Sequence, residues 1–174
     1  MASSYTTNFG IEEMGSGDQS GSWGTTTNYN LDILDRIASY KAVTVSSTSH
    51  TLTVREASPD SGTSNVQDGM YRVIKFADAG DIGGNCTVTV APNTTAAWFI
   101  MENDLSASRT IDVSQGSGAN VTIQNGKNVI VYCDGGGGTA AVIDALADLQ
   151  VGSLEVTGAG AIDGNATVGG TLGV

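Results

Sequence analysis

Leu154-Glu155-Val156-Thr157-Gly158-Ala159-Gly160-Ala161-Ile162-Asp163-Gly164-Asn165-Ala166-Thr167-Val168-Gly169-Gly170-Thr171-Leu172-Gly173-Val174 alternates from end to end. Every even position is apolar or glycine, and the odd positions are small or polar. A period of two is the mark of extended chain, because successive side chains point to opposite faces. The run is far longer than an ordinary strand of about 5–6 residues, so its glycines must bend or wrap it. A single copy has a thin apolar row and nothing in this segment to cover it. Several copies wound about one axis would bury that row, as the shaft of a fibre does. Leu154, Val156, Ile162, Val168 and Leu172 are therefore expected at an interface between copies.

Upstream, Asp134-Gly135-Gly136-Gly137-Gly138 precedes a segment whose Val142, Ile143, Leu146 and Leu149 have helical spacing. The pattern predicts a short helix from Thr139 to Gln150, with Val142, Leu146 and Leu149 at a seam between copies. Strand, glycine loop and helix is also the order of a phosphate-binding loop. No Lys-Ser/Thr follows the glycines, however, and Asp134 would repel phosphate. A hinge and neck over 136–150 is the better reading.

From Ala42 the chain reads as β. Candidate strands are Val43–Val45, His50–Arg55, Tyr71–Phe76, Cys86–Val90, Trp98–Glu102, Arg109–Val113, Asn120–Ile123 and Asn128–Cys133. Turn clusters divide them, and short strands at such spacing predict an antiparallel sandwich or barrel over 42–135. Asn125-Gly126 between Ile123 and Val129 predicts a tight hairpin. Trp98, beside Phe99 and Ile100, reads as core.

The leader has no period and many turn formers. Alone it is expected to be disordered, yet Tyr5, Phe9, Ile11, Met14 and Trp23 are spaced as plugs for another surface. Asn30–Tyr40 predicts a short helix, capped by Asn28 or Asn30, with Leu31, Leu34 and Ile37 on one stripe. At about ten residues it needs a docking partner to be stable. The resulting plan is an arm with a short helix (1–41), a β knob (42–135), a hinge and neck (136–150) and the start of a shaft (151–174).

Net charge is −11, from 18 acids against seven scattered bases. Nucleic acid requires a basic stripe, and anionic lipid disfavours such a chain. No apolar run of about 18 residues is present, which excludes a membrane-spanning helix. The N-terminus has neither a basic nor an apolar signal region, so folding in a cytoplasm is expected. Cys86 and Cys133 are then expected as buried thiols. With one histidine, two dispersed cysteines and no Asp-x-Asp-x-Asp-Gly loop, the sequence offers no catalytic set, metal site or cofactor site.

Tyr5-Thr6-Thr7-Asn8-Phe9-Gly10-Ile11-Glu12, Gly15-Ser16-Gly17, Gly21-Ser22-Trp23-Gly24 and Asn28-Tyr29-Asn30-Leu31-Asp32-Ile33-Leu34-Asp35 resemble the opening of tail-fibre and related virion-appendage proteins of marine bacteriophages. Val88-Thr89-Val90-Ala91-Pro92, Trp98-Phe99-Ile100 and Tyr132-Cys133-Asp134-Gly135 fit the β-domain of that family more loosely. Leu154-Glu155-Val156-Thr157-Gly158 is similar to its shaft repeats. The resemblance implies a non-enzymatic virion protein, assembled in the bacterial host cytoplasm as a homotrimer. It also implies that Tyr5, Phe9, Ile11, Met14, Trp23, Leu31 and Leu34 dock on a tail or adaptor protein. A second expectation is a capsid decoration or head fibre whose knob grips carbohydrate through Trp98 and Tyr71.

Overall fold

The fold is mainly β, and alternation along its strands sorts side chains into an inward and an outward set. The computed structural model describes residues 4–6, 8–54, 67–153, 155, 157 and 160. A small hairpin of β1 (Ser4–Tyr5) and β2 (Glu12–Glu13) is followed by helix α1 (Trp23–Ile37). Then come β3 (Tyr40–Val45), β4 (Ser49–Thr53), β5 (Val73–Asp78), β6 (Cys86–Ala91), β7 (Ala97–Asp104) and β8 (Ile111–Ser114). The chain continues through β9 (Val121–Ile123), β10 (Asn128–Cys133) and β11 (Val142–Asp144). Single 3-10 turns occupy Asp68–Met70 and Gly137–Thr139.

A five-stranded sheet runs in the order β11-β10-β7-β5-β3, and a four-stranded sheet in the order β4-β6-β8-β9. From β3 to β8 successive strands alternate between the two sheets. Neighbours β3, β5 and β7 are parallel, as are β4, β6 and β8. The path is a coil of three turns, each giving one strand to each sheet. It then reverses, with β9 antiparallel to β8, β10 to β7 and β11 to β10.

This corrects the antiparallel arrangement expected from the sequence. Parallel neighbours within one sheet need a return connection of a dozen residues or more, usually a helix. Here the return is the strand in the opposite sheet, so the linkers that looked like hairpin turns are sheet-to-sheet crossings. The Asn125-Gly126 turn is one of them. Gly126 has the positive φ of 69° that the pair implies, but Ile123 pairs with Ile111 and Asn128 with Glu102.

The inward set comes from both sheets and includes Val43, Leu52, Ile74, Phe76, Val88, Phe99, Met101, Ile111 and Val131. Cys86 and Cys133 belong to it as free thiols. Asn103, fully buried, ties a crossing together. Its Nδ2 donates to the carbonyls of Arg109 and Ile123 at 2.9 Å, and its Oδ1 accepts from Leu105 N at 3.1 Å. The backbone groups freed where β7 leaves its sheet are thereby satisfied.

Two helix expectations are corrected. Helix α1 starts seven residues earlier than predicted, because the turn at Gln19 (φ 61°) presents its carbonyl to Ser22 N and Trp23 N, both at 2.9 Å. The predicted helix over Thr139–Gln150 is not formed. Within it Val142–Asp144 is β11, in register with β10 from Val131↔Asp144 to Cys133↔Val142. A lone helix of about twelve residues is marginal, whereas the unpaired edge of β10 offers a ladder and a core site for Val142, which is 1% exposed. Val142 is thus a core residue and not part of a seam between copies.

Candidate docking surfaces

The arm is built onto its own chain. Glu12 N donates to Asn30 Oδ1 and Asn30 Nδ2 donates to Glu12 O, both at 3.0 Å. The asparagine thus imitates a strand neighbour from the side of α1 instead of capping it. Gln19 Nε2 donates to Glu12 Oε1 at 2.6 Å, while Gln19 Oε1 accepts from Ser22 and Thr26 hydroxyls. Gly10, at φ 66°, allows the arm to fold back, and Gly10 N donates to Thr6 O. The expectation of a leader disordered on its own is corrected for the described residues.

Phe9, expected as a plug for another surface, packs on the core cluster of its own chain. Its ring covers Arg72, which is 5% exposed and also lies over Phe99 and Trp98. Arg72 Nη1 donates to Trp98 O at 3.3 Å. Among the described residues no carboxylate pairs with this guanidinium, and burial pushes its pKa down. Aromatic faces are what compensate it.

Tyr5 and Ile11 are half-buried in the hairpin, and Met14 is exposed. Trp23, Leu31 and Leu34 are exposed on α1, with Trp23 63% open. Spacings of eight and eleven residues put the three on one helical stripe, beside the stripe of Thr26 and Ile33 that the chain buries. Leu146 and Leu149 are exposed beyond β11. Leu154, Val156, Ile162, Val168 and Leu172 lie outside the described residues.

The outer face of the five-stranded sheet gave no sequence signal. Ladder register aligns Tyr40, Val73, Ile100 and Ile130 in one row across β3, β5, β7 and β10. Trp98, Tyr132 and Ile143 form the adjoining row across β7, β10 and β11. Tyr40 is 53%, Trp98 51% and Tyr132 44% exposed. Trp98, read as core, therefore points outward, because alternation places Phe99 inside. The next row is polar, and Lys75 Nζ bridges Glu102 at 3.6 Å and Asp104 at 2.8 Å. The four-stranded sheet presents the opposite character. Its outer positions are Ser49, Thr87, Asp112 and Thr122 in one row and Thr51, Thr89 and Ser114 in another.

Tyr71, the second aromatic expected to stack on sugar, is already engaged. Arg36 Nη1 donates to its hydroxyl at 2.9 Å, and Arg36 and Lys41 lie over its ring at 5.2 and 5.9 Å. The glycine loop is likewise occupied. Gly136 N and Ala141 N donate to Asp134 Oδ1, Gly135 N to Gln115 Oε1 and Gly137 N to Asn93 O. The amides that would cradle a phosphate are thus spent within the chain, and their bonds to Asp134 hold its carboxyl below the usual range.

His50 is half-buried with its ring edge-on to Phe76 at 6.1 Å. Among the described residues no three His, Cys, Asp or Glu side chains are grouped to hold a metal ion, and there is no enclosed pocket. No helix there is long and apolar enough to cross a membrane. Comparison with protein-family models, with curated proteins and with solved structures gives no match to this chain.

Proposed function

We propose that this chain is a structural component of a phage virion, the virion-proximal part of a tail fibre that anchors a host-attachment appendage. In this reading it acts as a homotrimer, with residues 1–40 docking on a tail or adaptor protein. It is made in the host cytoplasm, functions in the tail, needs no cofactor and performs no catalysis. The observation that carries it is the placement of large apolar side chains on the outside of a domain whose core is complete without them. Contiguous patches of that kind mark surfaces made to be covered. On the α1 stripe, Trp23, Leu31 and Leu34 fit the role of the docking element, since Phe9 of the arm already packs on its own chain.

Adding the double variant Leu31→Glu, Leu34→Glu to fibreless tails tests the docking. Unaltered association of copies with lost incorporation is expected, and normal incorporation would refute it. A second reading, a capsid decoration or head fibre with a carbohydrate-binding knob, draws on one observation. Trp98 and Tyr132 are exposed and directly opposite on adjacent strands, a platform on which a sugar ring can stack. Glycan-array binding that disappears in a folded Trp98→Ala variant would favour it.

A further inference from the structure

We infer that the outer face of the five-stranded sheet is the surface through which copies of this chain meet, its occupants being sister copies that turn the same face toward a common axis. The inference deepens the appendage reading and rests on its claim that the chain is oligomeric.

Three observations point to a sister chain. The first is the contrast between the two sheets. The same domain carries hydroxyls on one outer face and, on the other, three exposed aromatics with Val73 and the part-buried Ile100, Ile130 and Ile143. Three half-open aromatics alone present on the order of 300 Å², since each buries about 150–250 Å² when covered. With the aliphatics added, the patch reaches the range of about 300–600 Å² in which a protein's largest apolar patch is often functional. Water suits the first face and a protein surface the second.

The second is charge. Each copy carries −11, so two copies repel unless they meet where carboxylates are missing or neutralised. The two apolar rows carry no charge, and beyond them Lys75 bridges Glu102 in the next row and Asp104 in the one after, offsetting one of their two charges. A basic partner would be drawn to the acid-rich remainder of the surface. The neutral face suits a chain of like charge.

The third is the path of the C-terminus. Strand β11 is the edge of this sheet, and Ala145 N still donates to Ile130 O at 2.8 Å. The exposed Leu146, Leu149 and Val151 follow at once. Copies meeting across this sheet bring those residues together, and with them the start of the segment whose period of two calls for neighbours.

The test compares wild type, Val73→Glu, Trp98→Glu and, on the hydroxyl face, Thr89→Glu by mass photometry and circular dichroism. Wild type and Thr89→Glu should be oligomers at micromolar concentration. The two sheet-face variants should keep their β spectrum and dissociate about 100-fold more readily or worse, since each buries an unpaired carboxylate. Oxidative footprinting of wild type above and below its dissociation concentration covers the case in which a variant fails to fold. Trp98 and Tyr132 should be protected only in the oligomer. An oligomer that keeps its affinity in folded Val73→Glu and Trp98→Glu, or leaves Trp98 reactive, overturns the sheet face and leaves the appendage reading standing. A monomeric wild type overturns this inference and the trimer together, and glycan binding by that monomer would assign the face to carbohydrate.

Discussion

The guanidinium carbon of Arg72 lies 4.7 Å from the centre of the Phe9 ring, joining the N-terminal arm to the first residue before β5. Other bonds tie the arm to α1, through Glu12 and Asn30, and to its own turn, through Gly10 and Thr6. Phe9→Leu preserves apolar contact but removes the aromatic face. A desolvated cation–π contact is worth about 2 kcal/mol, so a loss of roughly 1–2 kcal/mol in urea unfolding is expected. Hydrogen exchange at residues 8–13 should accelerate while β5 and β7 stay protected. Unchanged exchange in the arm would show that Phe9 does not hold it.

Asn103 serves three backbone groups from a site with no exposure. Asn103→Leu leaves two carbonyls and one amide without partners, and each orphaned buried group costs about 1–3 kcal/mol. A loss of at least about 3 kcal/mol is expected from denaturant midpoints, against a usual domain stability of about 5–15 kcal/mol. Asn103→Asp should be nearly as harmful, because a carboxylate cannot donate to Arg109 O and Ile123 O. A melting point close to wild type in either variant would contradict the role.

His50 gives the chain a near-neutral pH dependence. Its pKa is lowered from the ordinary value of 6.5, first by burial and in spite of the nearby Asp68 carboxylate. The unfolded chain therefore takes up a proton before the folded one does. Stability is complete above pH 6.5, falls as pH drops from there to the folded pKa, and is flat again below it. The ring is about half open, so the effect is small after solvent screening. NMR should place the imidazole midpoint below 6.5, and His50→Gln should flatten the unfolding profile across that window. A midpoint at or above 6.5 would exclude it.

Neither cysteine should react in the folded protein. Burial raises both thiols, and Cys133, with the Asp134 carboxylate adding to the effect, is pushed up to about 12. The thiolate is the reactive form, so a disulfide-exchange reagent at pH 8 should label no thiol in native protein and two after unfolding. Rapid native labelling of one thiol would show that the core opens locally near it.

Strand positions were legible because most inward residues are apolar, with Asn103 and His50 the exceptions, and most outward ones on the four-stranded sheet are polar. Asn128–Cys133 has the same bounds in sequence and structure. Strand direction was not legible, since side-chain alternation is identical in parallel and antiparallel ladders and a crossing of a few residues looks like a hairpin. Val142 shows the limit of local pattern. Its spacing with Leu146 and Leu149 fits a helix, yet the open edge of β10 outweighs that preference. The apolar rows on the five-stranded sheet were hidden for another reason. Tyr40, Val73, Ile100 and Ile130 are scattered over ninety residues and become neighbours only once register is known. Trp23, Leu31 and Leu34 were visible as anchors, but their common exposed stripe depended on a helix start at Gln19–Ser22 that no capping side chain announces.

The winding of β3 to β8 makes the knob modular in whole turns. Excising or duplicating one complete circuit would keep every inward residue in phase, so such changes in length cost only their own share of burial. Adding one residue inside a strand has no such tolerance, because it turns that strand's greasy side to water for the rest of its length. Natural variation in this domain is therefore expected in steps of a full lap, with small insertions confined to the corners.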